Sequence, residues 1–256
     1  MRSAVAALLF LLPAFAGAQA ALPPNPLADS VAALVERGMT GAQPDGIDRA
    51  IALADQVLEG APRDPVMLHF KGYAFYRRGN MLLTTGGHDA EAKRALQVAD
   101  SLLTLSARTL RWPETLALRA AVTGQMIGLS GMLSAVRLGP RANGLMDQAI
   151  DLAPENPRVL MLRGVSAFYK PSFLGGGNDK AERDLLHAID RFASDHPAAP
   201  LPAWGHAEAY AWLGQVYAKA GRTADARAAY HKALELAPTF TWVTQLLLPA
   251  LDRERR

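Results

Sequence analysis

An all-α solenoid is the fold class the sequence predicts: about five helical hairpins stacked in a row, with a C-terminal capping helix. Three observations predict it. Apolar residues recur at helical spacing through most of the chain, and helix-stopping prolines (Pro62, Pro154 and Pro238) close several of the second helices. Near the C-terminus, 207–240 holds two amphipathic helices and a tight turn in about 34 residues, a repeat-like period. The 256 residues, half of them apolar and a fifth charged, supply ample core and exclude intrinsic disorder.

Taken in order, residues 1–20 read as an address. A positive start (Met1-Arg2-Ser3), an apolar run from Ala4 to Ala16 and the small-x-small signal Ala18-Gln19-Ala20 predict a secretory signal peptide cleaved after Ala20. The run is broken by Pro13 and falls short of the roughly 20 residues a membrane span requires. No later stretch reaches that length without charge, so the mature chain is expected to lack a transmembrane segment and to reside in a bacterial periplasm or the medium. The absence of Cys excludes disulfide scaffolds, Cys-ligated zinc and thiol nucleophiles.

The mature chain, 21–256, is expected to form one solenoid domain. Leu27 to Arg37, and a second helix carrying Ala50, Ala54 and Val57 up to Pro62, predict the first hairpin. Pro65 to Gly79 with Leu68, Gly72 and Phe75, followed by Ala92, Ala95, Leu96 and Ala99, predicts the next, and 47–106 holds these weaker units. In 113–154, Pro113 to Val136 reads as one long first helix and Ala142, Met146 and Ala149 as its partner, ending at Pro154. In 157–192, Leu160, Leu162, Gly164 and Phe168 face Ala181, Leu185, Ala188 and Ile189 across a turn lengthened by Pro171 to Asp179. Ala193 to Pro202, with three prolines, predicts a stiff loop. Residues 239–251, with Trp242, Val243, Leu246 and Leu247, predict the capping helix, ended or kinked at Pro249.

In the clearest unit, Tyr210, Leu213-Gly214, Tyr217, Ala226, Tyr230, Ala233 and Pro238 together resemble the tetratricopeptide repeat (TPR) pattern. Gly214, Ala226 and Ala233 stand where helices come closest, and the large residues fill the gaps between those contacts. The terminal prolines lie 92 and 84 residues apart, where two regular repeats give about 68. In this irregularity and its signal peptide, the chain resembles secreted bacterial TPR proteins with divergent repeats. They include the periplasmic TPR partners of TRAP transporters, whose repeats enclose a ligand-sized pore.

Chemistry-bearing motifs are sparse. The net charge is +3, but Arg253, Arg255 and Arg256 sit in the last four residues, so the body is near neutral. Its basic residues are not interleaved with aromatics, and no nucleic-acid partner is expected. The histidines His69, His88, His187, His196, His206 and His231 include no i, i+4 pair, so neither a metal nor a cofactor is expected. Gly128-Leu-Ser130-Gly131 falls one residue short of a nucleophile elbow, and no enzyme is expected. Gly175-Gly176-Gly177 before Lys180 lacks the G-K-[ST] ending and preceding strand of a phosphate loop; like Gly86-Gly87, it reads as a turn. The carboxylates Asp147, Asp151, Glu182, Asp184, Asp225 and Glu235 read as solvated helix faces.

The TPR resemblance implies a concave groove, lined by the first helix of each hairpin, that receives an extended peptide or a helix. Carried over residue by residue, this gives His69, Tyr73, Tyr76 and Arg77, then Arg158, Met161, Val165, Phe168 and Tyr169, and finally Gln215, Ala218 and Lys219. The aromatic and Arg-rich composition is that of interface anchors. Packing against neighbouring hairpins is the competing reading for Tyr73, Tyr76, Phe168 and Tyr169. Repeats that grip a terminal carboxylate need a Lys and an Asn one turn apart, and here those places hold His69 and Tyr73. The expected function is a non-enzymatic periplasmic protein that binds a protein or peptide in its groove. The alternative is a periplasmic small-ligand binder associated with a transporter, its irregular repeats enclosing a pocket.

Overall fold

The computed structural model describes residues 26–253; the expected signal peptide and its cleavage point lie outside the described residues. Five antiparallel hairpins follow one another: α1 (Pro26–Met39) with α2 (Gly46–Gly60), α3 (Pro65–Thr85) with α4 (Asp89–Ser106), α5 (Pro113–Ser130) with α6 (Met132–Leu152), α7 (Pro157–Tyr169) with α8 (Asn178–Phe192), and α9 (His206–Lys219) with α10 (Thr223–Leu236). A π-helical turn, Trp242–Leu247, and α11 (Leu248–Arg253) follow. There is no strand among the described residues. The solenoid of five hairpins and a terminal helix is the one the sequence predicts.

Local chemistry sets the helix starts. The side chains of Asp64 and Asn156 each accept two backbone N–H bonds, at 2.9 and 3.0 Å and at 3.0 and 3.2 Å. In each case Pro follows at the first helical position, where its missing N–H is no loss. Close approach within hairpins is set by glycine. A Cβ on Gly72, Gly164 or Gly214 would lie 2.7, 2.8 or 2.3 Å from Leu103, Leu185 or Tyr230 of the partner helix. One buried core runs from Ala28 to Val216. At the C-terminal end Phe240, Val243, Leu247 and Leu251 cover Tyr230 and Ala233, which is the capping the sequence predicts.

Two boundaries differ from expectation. The long helix expected over 113–136 stops at Ser130, because Gly131 takes a positive φ of 80°, and α6 begins at once and runs through Pro140. Leu133 and Val136 are 92% and 78% exposed, so the apolar pattern there belongs to a projecting first half of α6 and not to the core. At the other end Pro249 does not end the helix. The π turn ahead of it widens the backbone where a proline ring would meet the carbonyl four residues back.

Candidate functional site

The first helices line the inner face of the solenoid, and half of that face is filled by the chain itself. Arg77 of α3 reaches Glu208 of α9, Nη1 donating to Oε1 at 2.6 Å and Nη2 to Oε2. Nη2 also donates to the Tyr73 hydroxyl at 2.9 Å, which in turn donates to Glu36 of α1 at 2.5 Å. Trp204, from the loop between α8 and α9, stacks on Tyr73 with ring centroids 4.9 Å apart, and the Arg77 guanidinium lies 4.8, 5.4 and 5.5 Å from the Tyr73, Tyr76 and Trp204 rings. Three helices distant in sequence are thereby tied together over a loop that plugs the groove.

Several expected groove residues belong to this filled half. His69, Tyr73, Tyr76, Arg77, Arg158 and Met161 are all buried. His69 shares a hydrogen bond of 2.8 Å with Thr115 Oγ1 and packs edge-on against Trp112; burial pushes its pKa down to about 3, so it is neutral at pH 7. Arg158 pairs with Asp195 of the loop and lies over the Phe192 ring. A Cβ on Gly205 would come within 3.0 Å of Phe192 and 3.3 Å of the Met161 sulfur, so the loop presses onto Met161 without a side chain. Burial raises the pKa of the Glu36 carboxyl, with Arg77 opposing. The stiff loop expected over 193–202 therefore leads into the plug itself.

The rest of the inner face is open and aromatic. Phe168, Tyr169, Trp212 and Trp242 form a chain of rings: Phe168 to Tyr169 at 5.2 Å, Tyr169 to Trp212 at 5.8 Å and Trp212 to Trp242 at 5.0 Å. Trp212 lies on the helical stripe of Glu208, Gln215 and Lys219, which puts it on the inner face of α9. Tyr169 is 71% exposed, whereas Phe168, Trp212 and Trp242 are half-buried. The Lys219 ammonium sits 4.4 Å from the Phe168 ring centre and donates to the Phe168 carbonyl at 3.1 Å. Val165, Gln215 and Ala218 are half-buried and Lys219 is exposed. Of the predicted residues, Phe168, Tyr169 and Lys219 join this strip. Sequence reasoning misses Trp212 and Trp242, although the spacing of Trp212 from Gln215 and Lys219 is a signal that could have found the first.

Other expectations resolve locally. The backbone N–H groups of Gly175, Gly176 and Gly177 all donate within the chain, to Ser172, Pro171 and to Ala167 with Lys170, so the turn offers no backbone cradle for a phosphate. Asp184 is buried and paired with Arg163 and Lys180, and so departs from the solvated face expected of it. Among the described residues no three His, Asp or Glu side chains are placed to hold a metal ion, and no helix is long and apolar enough to cross a membrane.

Comparison with known proteins bears on the fold. A tetratricopeptide repeat family model matches residues 207–240, which span α9 and α10. The HusA haemophore from Porphyromonas gingivalis is similar in structure, with a TM-score of 0.60, 21% identity and coverage of 75% of this chain and 92% of that one. So is TTC0263, a thermophilic TPR protein in Thermus thermophilus, with a TM-score of 0.56, 21% identity and coverage of 85% and 99%. The APC/C hetero-tetramer Cut9-Hcn1 gives a TM-score of 0.52 at 17% identity, over 88% of this chain and 37% of that one. No curated protein sequence matches the chain.

Proposed function

We propose that this tetratricopeptide-repeat protein is a non-enzymatic interaction protein of the periplasm or medium, which takes a segment of a partner protein on the open aromatic half of its inner face. The observation that carries the reading is the Phe168–Tyr169–Trp212–Trp242 chain, spread over two hairpins and the terminal helix and continuous with a face otherwise filled by the chain's own side chains. Half-exposed Trp and Tyr rings, rigid and with a polar edge, are the side chains that dominate interface energetics. The signal-like residues 1–20 support export.

Selection of peptides from a displayed random library on the immobilised mature protein tests this. Enriched peptides are expected to lose at least about tenfold in affinity, about 1.4 kcal/mol, on Trp212→Ala or Tyr169→Ala. Enrichment that survives both replacements overturns the site.

The second reading is a small-ligand binder. It is favoured by the same rings, which suit a flat apolar ligand, and by the likeness to a haemophore. Absorbance titration with haemin separates the two readings. A saturable spectral shift lost in the Tyr169→Ala, Trp212→Ala double variant supports the small ligand, and the absence of any shift counts against it.

A further inference from the structure

On the side of the molecule where α6 meets α7, a cleft of about 230 Å³ opens between the third and fourth hairpins. Ala120, Met146 and Ala167 supply apolar wall, Asn143 and Asp147 stand at its exposed rim, and Arg163, Ser166, Lys170 and Lys180 complete the lining, beside Gly175 of the long turn. We propose that this cleft is a binding site for a small, soluble phosphate-type oxyanion, held by Arg163, Ser166, Lys170 and Lys180. It is separate from the aromatic strip and does not depend on the function proposed for that strip.

Three features support the assignment. First, cations outnumber carboxylates: Arg163, Lys170 and Lys180 line the cleft, against Asp147 beside them and Asp184, which pairs with Arg163 and Lys180. Asp184 takes Arg163 Nε and Nη2 at 2.9 and 2.8 Å and Lys180 at 3.4 Å, which fixes the guanidinium while leaving Nη1 unclaimed. Lys170 gives one bond, of 2.7 Å, to Asn143 and keeps two more N–H donors. Second, the cations are built in. Gly177 N–H donates to the carbonyls of Ala167 and Lys170, at 2.9 and 3.0 Å, and a Cβ on Gly176 would strike the Lys170 carbonyl oxygen at 2.1 Å. The long turn therefore clamps the backbone of Lys170, where a plain turn between α7 and α8 would not. Third, the two lysines repel each other across the cleft. Burial, and then the charge of Lys180, hold the Lys170 pKa below its ordinary value, and an anion seated between them would relieve that repulsion. Three cationic side chains and a hydroxyl-bearing one lining a single small space suit a tetrahedral oxyanion.

Isothermal titration of the mature protein with inorganic phosphate, in a non-phosphate buffer of low ionic strength, tests the site. A saturable heat is expected, with a dissociation constant on the order of 1 mM or tighter. Lys170→Gln and Lys180→Gln should each weaken it at least about tenfold, equivalent to about 1.4 kcal/mol. Lys232→Gln, at a surface pair with Glu235, should leave it unchanged. Circular dichroism melts of the variants establish that they are folded, and a Ser166→Ala variant, which removes only a hydroxyl, gives a second and milder weakening. Absence of heat, or heat equally retained in the Lys170→Gln, Lys180→Gln double variant, overturns the proposal. Binding to anionic phospholipid vesicles without binding to free phosphate overturns it in favour of a lipid headgroup.

Discussion

Arg77 and Glu208, 131 residues apart in the chain, form a two-pronged ion pair that joins the second hairpin to the fifth across the inner face. The pair is almost fully enclosed, roofed by the Tyr73–Trp204 stack, and linked through the Tyr73 hydroxyl to Glu36. Ridges packed between neighbouring hairpins would leave such distant repeats apart. Here side chains on the inner stripes of α1, α3 and α9 close the superhelix on itself.

Removing Arg77 leaves two carboxylates, Glu36 and Glu208, in a low-dielectric site with no cation between them. Arg77→Met is expected to destabilise by about 3–5 kcal/mol, whereas the Arg77→Met, Glu208→Gln double variant should recover part of that loss. Urea unfolding of the two singles and the double closes the cycle. An additive result would show that the pair is not coupled across the face.

His69 and Glu36 give the pH profile of stability slopes of opposite sign. His69 has a folded pKa near 3, below its ordinary 6.5, so the unfolded chain takes the proton first. Stability should then fall, by up to about 1.4 kcal/mol per pH unit, as pH drops from about 6.5 toward 3. Glu36 has the reverse sign. Burial raises its folded pKa above 4.5, so its contribution is full below 4.5 and is lost as pH climbs through the raised value. Thermal melts against pH should show a flatter acid limb in His69→Phe and a flatter upper limb in Glu36→Gln. Unchanged slopes in both would assign the pH dependence elsewhere.

The contrast between what the sequence discloses and what it conceals follows from the range of the interactions. Gly72, Gly164 and Gly214 are local signals: each marks a contact inside its own hairpin, and the hairpins follow from the 3.6-residue stripe. Tyr73 and Arg77 lie on the inner stripe of α3, as the repeat pattern implies, but what covers them, Trp204 and Glu208, arrives from over a hundred residues away. No periodicity reports how tightly a solenoid coils, so residues on the inner face read as groove when half of them are core. Trp212 is concealed differently, since its repeat pattern draws attention to Leu213-Gly214 beside it. Leu133 and Val136 mislead because an apolar pair at helical spacing looks alike whether it is buried or, as here, projecting.

Asn156 does two jobs and should be more sensitive than its counterpart Asp64. Both cap a helix through two backbone N–H bonds, a role whose loss costs about 1 kcal/mol. Asn156 Nδ2 also donates at 2.6 Å to Glu114, a buried carboxyl whose pKa burial raises and this bond lowers. Asn156→Ala is expected to cost about 2–4 kcal/mol, since it also strands that acceptor, against about 1 for Asp64→Ala. Equal losses in chemical denaturation would show that the Glu114 bond contributes nothing.

Two glycines test whether small residues matter by position or merely by type. Gly214 faces Tyr230 so closely that an added methyl would lie 2.3 Å from a ring carbon, and that ring is itself buried in the cluster formed with the terminal helix. Gly214→Ala must push the two helices apart or expel the tyrosine, and should destabilise by about 1–3 kcal/mol despite its better helix propensity. Gly124, in the middle of α5, meets nothing within 4 Å of an added Cβ and is exposed. There the propensity gain stands alone, and Gly124→Ala should stabilise by about 0.5–1 kcal/mol. Melting temperatures that move in opposite directions would locate the constraint in the α9–α10 contact. A shared gain would mean that the Tyr230 ring yields, and that the hairpin spacing is set by the alanines at 226 and 233 instead.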